Sequence, residues 1–224
     1  EFHDAITQGQ FVPFFQPIID LHRDTLAGAE VLARWEHPTH GSIPPDRFIA
    51  PIEEFGLMNE LTETILFNGI KAINQITRQD HQPVNLSVNV SPSILLEPGF
   101  AERFVSTILK AGGSPKDIKI ELTESVAFAG IERIMRVLTR LRIEGIKISI
   151  DDFGTGYSSL TALHQLPFSD LKIDRSFTGT IIHDAEAEKI VQSLIDLAHS
   201  LGLVVVAEGV ETAEIIDLLK QKNC

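Results

Sequence analysis

Acidic and amide side chains recur in this chain at one kind of place, the last residues of short apolar runs. Asn89 lies near the end of Val84 to Val90, and Glu121 near the end of Ile118 to Thr123. Asp151 and Asp152 close Ile146 to Asp152, Lys172 lies toward the end of Asp170 to Asp174, and Glu208 follows Leu203 to Ala207. Glu30 and Arg34 share parity within Leu26 to Trp35, so they project from one face of that run. Several carboxylates facing a common mouth repel one another unless cations sit among them. Oxygen-only donors select Mg²⁺ or Mn²⁺ over zinc or copper. Two such ions about 3.5–4 Å apart clamp the attacking and leaving oxygens of a phosphodiester. The residues therefore point to metal-dependent phosphoryl-ester chemistry, with metal-assisted enolization as its competitor.

Such a cluster needs a scaffold that brings strand ends together. The runs Phe11 to Asp20, Leu26 to Trp35, Val84 to Val90, Ile118 to Thr123, Ile146 to Asp152, Asp170 to Asp174 and Leu203 to Ala207 read as strands. Between them lie helical spacings: Leu57, Leu61, Ile65; Phe100, Phe104, Ile108; Ile131, Ile134, Leu138, Leu141; and Ile190, Leu194, Leu197, Leu201. Gly145 and Gly202 sit where helices would stop. This alternation predicts parallel strands with crossover helices.

Parity then decides between the two parallel architectures. Ile118, Ile120 and Leu122 share a face, leaving Lys119 and Glu121 on the other; Ile146, Ile148 and Ile150 likewise leave Lys147, Ser149 and Asp151. A sheet covered by helices on both faces reads as nearly continuous hydrophobics. Half-polar parallel strands predict instead a barrel with a polar lumen, whose active site lies at the C-terminal strand ends.

Composition bounds the rest. The 224 residues, 43% of them hydrophobic, suit one globular α/β domain over 1–224, with no repeat or linker to mark a boundary. One cysteine, Cys224, excludes an internal disulfide framework. No apolar run approaches the roughly 20 residues of a membrane span, so no membrane contact is expected of this segment. A formal charge of −12 argues against a DNA or RNA polymer as partner, though a small anion held through cations remains compatible.

Two motifs carry a resemblance. Glu30-Val31-Leu32-Ala33-Arg34-Trp35 and Asp151-Asp152-Phe153-Gly154-Thr155-Gly156-Tyr157-Ser158-Ser159-Leu160 resemble the EAL domain family of cyclic-di-GMP phosphodiesterases, with valine in the middle of the name-giving tripeptide. Phe15-Gln16-Pro17-Ile18, Asn89-Val90-Ser91, Glu121-Leu122-Thr123-Glu124, Leu171-Lys172-Ile173-Asp174 and Ala207-Glu208-Gly209-Val210-Glu211 extend the likeness over essentially the whole chain. The resemblance implies a modified (β/α)₈ TIM-type barrel whose first strand is antiparallel. It also implies hydrolysis of cyclic-di-GMP to linear 5′-pGpG by in-line attack of a metal-activated water.

By that resemblance Glu30, Asn89, Glu121 and Asp151 hold one Mg²⁺ or Mn²⁺, while Asp151, Asp152 and Glu208 hold or orient a second. Lys172 positions the water or stabilises phosphoryl charge, and Glu208 is the other candidate for assisting deprotonation. Gln16, Leu32, Arg34, Asp152 and Glu211 contact the ligand, and Glu124 anchors the loop from Asp152 to Leu160. A homodimer, an attached sensory or GGDEF domain, and a cytoplasmic setting, by itself or as the cytoplasmic part of a membrane-anchored protein, belong to the same expectation. The runner-up function is a cyclic-di-GMP receptor without turnover, acting through protein partners; a pure interaction module ranks behind it.

Other features read as structural. His37-Pro38-Thr39-His40 is expected in a surface turn, and Trp35 with the phenylalanines in the core. Seven strands are counted, with Thr212 to Gln221 as the helix after the last. The resemblance implies a further strand past Cys224, so the chain is expected to be part of a longer polypeptide, the other expectation being a barrel open along one seam.

Overall fold

Apolar residues recur along the runs that form strands, with β-branched and aromatic ones dense in Phe11–Asp20 and Val204–Ala207, and helices lie between most of these runs, as the alternation predicts. The structure, a computed structural model, describes residues 1–77, 84–124, 131–155, 163 and 165–224 (backbone only at 77, 131 and 132). In chain order these are α1 (Phe2–Thr7), β1 (Phe11–Asp20), β2 (Thr25–His37), β3 (Gly41–Ile43), α2 (Ile49–Glu54), α3 (Met58–Thr77), β4 (Asn85–Asn89), α4 (Pro92–Leu95) and α5 (Phe100–Lys110). There follow β5 (Ile118–Thr123), α6 (Ile131–Ile143), β6 (Lys147–Phe153), β7 (Asp170–Ile173), α7 (Arg175–Thr178), α8 (Ala185–Ser200), β8 (Val204–Ala207) and α9 (Ala213–Gln221). Among the described residues no helix is long and apolar enough to cross a membrane.

The chain forms two compact units. The first comprises Glu1–Ile19, Leu26–Ile120 and Ile143–Ile146. Its strands run in the hydrogen-bonded order β1-β2-β4-β5. A short turn at residues 21–24, closed by the Asp24 amide on the Asp20 carbonyl at 2.8 Å, joins β1 to β2. The Glu36 amide donates to the Gln10 carbonyl at the other end, so β1 is antiparallel to β2. β2 and β4 are parallel, with Glu30 opposite Ser87. Trp35 is buried against Phe2, Phe11 and Phe48, stacking on Phe11 at 5.3 Å, and its Nε1–H is satisfied by Gln10 Oε1 at 3.0 Å.

The second unit comprises Asp20–Thr25, Glu121–Arg142 and Lys147–Cys224, with strand order β5-β6-β7-β8 and parallel β6·β7 and β7·β8 pairs. α8 begins at Asp184, whose Oδ1 accepts from the amides of Glu186 and Ala187, and ends before Gly202 at φ +72°, the left-handed stop expected there. This helix packs on β7 and β8.

The helical spacing of Ile190, Leu194, Leu197 and Leu201 falls on α8 and its C-cap as expected; these four are half-buried, and the buried stripe beside them is Ala187, Val191, Ile195, Ala198. The helix is apolar on two adjacent stripes, and the one with alanines allows its backbone closer to the strands. The strand count of seven holds for the main path, but an eighth strand, β3, pairs antiparallel with β2 off that path. The segment from His37 to His40 is the turn of that hairpin, with His37 Nδ1 accepting from the amides of Thr39 and His40 at 3.1 and 3.2 Å.

Candidate active site

β7 is buried on both faces, with Leu171 and Ile173 on one side and Asp170 and Lys172 on the other. A lysine so placed must find acceptors. Lys172 Nζ lies 2.8 Å from Glu121 Oε2, 3.1 Å from Asp151 Oδ1 and 2.7 Å from Glu208 Oε1. These come from the C-terminal ends of β5 and β6 and from the residue after β8, as strand parity predicts. The Lys172 side chain is 3% exposed and that of Glu121 1%, so this pair is largely removed from water, while Asp151 at 11% and Glu208 at 25% keep an edge toward solvent. One cation among three carboxylates leaves the group net negative, and burial amplifies that imbalance.

Asp151 and Asp152 are consecutive, and a regular strand would send them to opposite faces. The register explains how they act together. Ile150 pairs with Leu171, but the next pair is Phe153 with Ile173, so β6 spends one extra residue opposite β7. At that bulge Asp152 has φ +53°, and its amide donates to Asp151 Oδ1 at 3.0 Å. Carboxylate oxygens of Asp151, Asp152 and Glu208 thereby come within 4.8 Å of one another. Burial, then the charges of Asp151 and Asp174, push the Asp152 carboxyl above its ordinary pKa, with Lys172 opposing them. Three hard oxygen donors, with Asp152 already disfavoured as an anion beside Asp151, fit a hard divalent cation.

The backbone around Glu208 is fixed from the segment after Lys172. Its amide donates to the Ile173 carbonyl at 3.1 Å, and its carbonyl accepts from Thr178 Oγ1. Gly209, at φ +63°, lies so close to α7 that a Cβ there would stand 2.6 Å from Arg175 Cβ. Glu124 Oε2 accepts the Gly154 amide at 3.0 Å, two residues past Asp152. Residues 156–160 of the expected loop lie outside the described residues.

In the first unit, Asn89 Nδ2 donates to Glu30 Oε1 at 2.7 Å, across the parallel β2·β4 pair. Arg34 shares the parity of Glu30; its guanidinium lies 5.6 Å from the Phe14 ring centroid and donates to the Ala33 carbonyl at 2.8 Å. Gln16 is exposed on β1, Leu32 is half-buried on β2, and Glu211 is exposed beyond β8. Phe14, expected in the core with the other phenylalanines, is half-exposed beneath Arg34, on the parity it shares with Gln16. No local signal in the sequence marks Thr178.

The EAL domain model matches residues 1–224. The chain is 36% identical over 217 residues to the probable cyclic di-GMP phosphodiesterase PdeG of Escherichia coli, covering 97% of this chain and 43% of PdeG. It is 35% identical over 210 residues to the cyclic di-GMP phosphodiesterase RocR of Pseudomonas aeruginosa, covering 94% of this chain and 53% of RocR. The chain thus spans about half the length of these relatives or less. The solved structure of the PaMucR phosphodiesterase in complex with c-di-GMP superposes with a TM-score of 0.93 at 35% identity, covering 100% of this chain and 90% of that one. With β1 antiparallel to β2, the parallel β2·β4, β6·β7 and β7·β8 pairs and a match along its full length, the chain belongs to the EAL domain family.

Proposed function

We propose that the chain is a metal-dependent phosphodiesterase that hydrolyses cyclic-di-GMP to linear 5′-pGpG. The observation that carries this is the convergence of Glu121, Asp151 and Glu208 on one buried lysine, with Asp152 turned toward Asp151 and Glu208 by a bulge. The names of PdeG and RocR and the c-di-GMP in the PaMucR complex support the substrate. The net reaction adds water across one phosphodiester: its oxygen joins phosphorus, the P–O3′ bond breaks, and the freed 3′-oxygen takes up a proton.

Bound divalent cations supply charge neutralisation at the phosphoryl group and lower the pKa of water. Asp151, Asp152 and Glu208 are the proposed ligands carried by geometry, and Glu30, Asn89 and Glu121 those carried by motif. Lys172 holds a positive charge ready for the phosphoryl oxygens, and Glu121 fixes its direction. Glu208 is the carboxylate proposed to accept a proton. Gln16, Leu32, Arg34 and Glu211 are proposed contacts to the dinucleotide. Mg²⁺ or Mn²⁺ as the ion, two ions per site, a homodimer and an attached sensory or GGDEF domain complete the reading on the family resemblance.

The deciding experiment incubates the full-length protein with cyclic-di-GMP and Mn²⁺ and follows pGpG by chromatography. Product from the wild type and none from Asp151→Ala is the expected result. Binding without product in the wild type would establish the receptor reading instead.

A further inference from the structure

Glu208 stands one residue beyond β8, where the parallel ladder to β7 ends with Ile173 opposite Ala207. A residue just past a strand end has lost the regular pairing that would hold its peptide groups. Its amide is still taken up by Ile173. Its carbonyl accepts from the Thr178 hydroxyl.

Thr178 is fully buried and ends α7, a single turn that Asp174 opens by accepting the Ser176 amide at 3.0 Å. Lys172, Ile173, Asp174 and Thr178 thus belong to one continuous segment. That segment delivers the ammonium to Glu208 Oε1 at 2.7 Å and grips both peptide groups of the same glutamate. The close approach of Gly209 to Arg175 leaves the grip little slack.

We propose that Thr178 is a positioning residue for Glu208: its hydroxyl sets the direction in which the Glu208 carboxylate reaches the metal ligands Asp151 and Asp152. The assignment rests on the phosphodiesterase reading only in calling Glu208, Asp151 and Asp152 ligands. The hydroxyl is the working part, and the methyl merely fills space. Partners one step removed from a metal ligand typically change affinity 10–100-fold when lost.

Hydroxyl and volume are separable by substitution. Thr178→Val keeps the volume and removes the hydroxyl; Thr178→Ser keeps the hydroxyl and removes a methyl. In the full-length protein, Mn²⁺ affinity is measured by calorimetry without dinucleotide, alongside the thermal unfolding midpoint and the amide ¹⁵N shift of Gly209, which reports hydrogen bonding at the preceding carbonyl.

The expected result is about tenfold weaker Mn²⁺ binding and a shifted Gly209 amide in Thr178→Val. Thr178→Ser should stay near wild type on both, even where its unfolding midpoint falls. Wild-type affinity in Thr178→Val overturns the proposal. So do losses that track the unfolding midpoint in both variants. Should Thr178→Val fail to fold, Thr178→Ala against Thr178→Ser makes the same comparison, since the two differ only by the hydroxyl. The expected pattern in a wild-type protein that yields no pGpG would sink the phosphodiesterase reading and leave this one standing. Wild-type turnover with no effect of the hydroxyl would do the reverse.

Discussion

The Gly154 amide reaches back to Glu124 Oε2 at 3.0 Å, so a residue just past β5 holds the turn that follows Asp152. Gly154 itself has φ +101°, a conformation with few alternatives to stabilise it from within. Glu124→Ala removes the acceptor and frees the turn. The expected effect is a fall in turnover of about 10–100-fold, as for other groups that orient ligands from behind. Glu124→Gln, which still offers a carbonyl oxygen, should recover much of it. Equal rates for the two variants would show that the charge, not the hydrogen bond, matters.

Lys172→Met keeps the apolar stem and removes the charge, leaving Glu121, Asp151 and Glu208 without their common cation. Breaking a buried ion cluster from one side costs about 3–5 kcal/mol. Denaturant unfolding without divalent ions should show a loss of that order, and Mn²⁺ should restore part of it by binding the folded state. Turnover should fall about 10²-fold or more even with saturating metal. Unchanged stability would mean the ammonium is not the counter-ion the distances indicate.

Asp152→Gly should separate stability from activity. The left-handed backbone at Asp152 costs about 1–2 kcal/mol for an ordinary side chain, less for aspartate, and nothing for glycine. Its carboxylate is further disfavoured by burial and by Asp151 and Asp174, so its removal relieves the folded state at neutral pH. Stability is expected to hold or to rise by up to about 1 kcal/mol while pGpG formation drops sharply. A strand glycine ordinarily weakens its protein, and a clear loss here would contradict the bulge.

A pH dependence follows from Glu53. Hydrogen bonds from Ser91 Oγ at 2.6 Å and Ser93 Oγ at 2.8 Å hold its pKa below the ordinary 4.5, against a small opposing effect of burial. A carboxyl with a lowered folded-state pKa stabilises the fold fully above the unfolded value and ceases to do so as pH falls through the folded one. Wild type should therefore exceed Glu53→Gln in unfolding midpoint at pH 6, and the gap should close as pH drops below 4.5. A gap independent of pH would assign the effect to shape rather than charge.

Much of this was legible in the residues. β1 and β5 occupy the predicted ranges, and parity placed Glu121, Asp151 and Lys172 on one face because alternation holds in these strands up to the irregularity after Asp151. Alternation also hides what breaks it: nothing in Ile150-Asp151-Asp152-Phe153 announces an extra residue, since a bulge is a relation between two strands. β3 escaped for a similar reason, being three residues paired only to the end of β2. On α8 two apolar stripes competed, and only the sheet beneath could choose between them. The Glu208 to Thr178 bond joins positions 30 residues apart, beyond any local pattern.

The bulge in β6 has a hereditary side. Loss of a single codon at Asp151 or Asp152 would let the strand pair evenly with β7, easing the backbone while erasing one carboxylate. On the proposed role of Asp152, a folded but silent descendant is therefore one short deletion away.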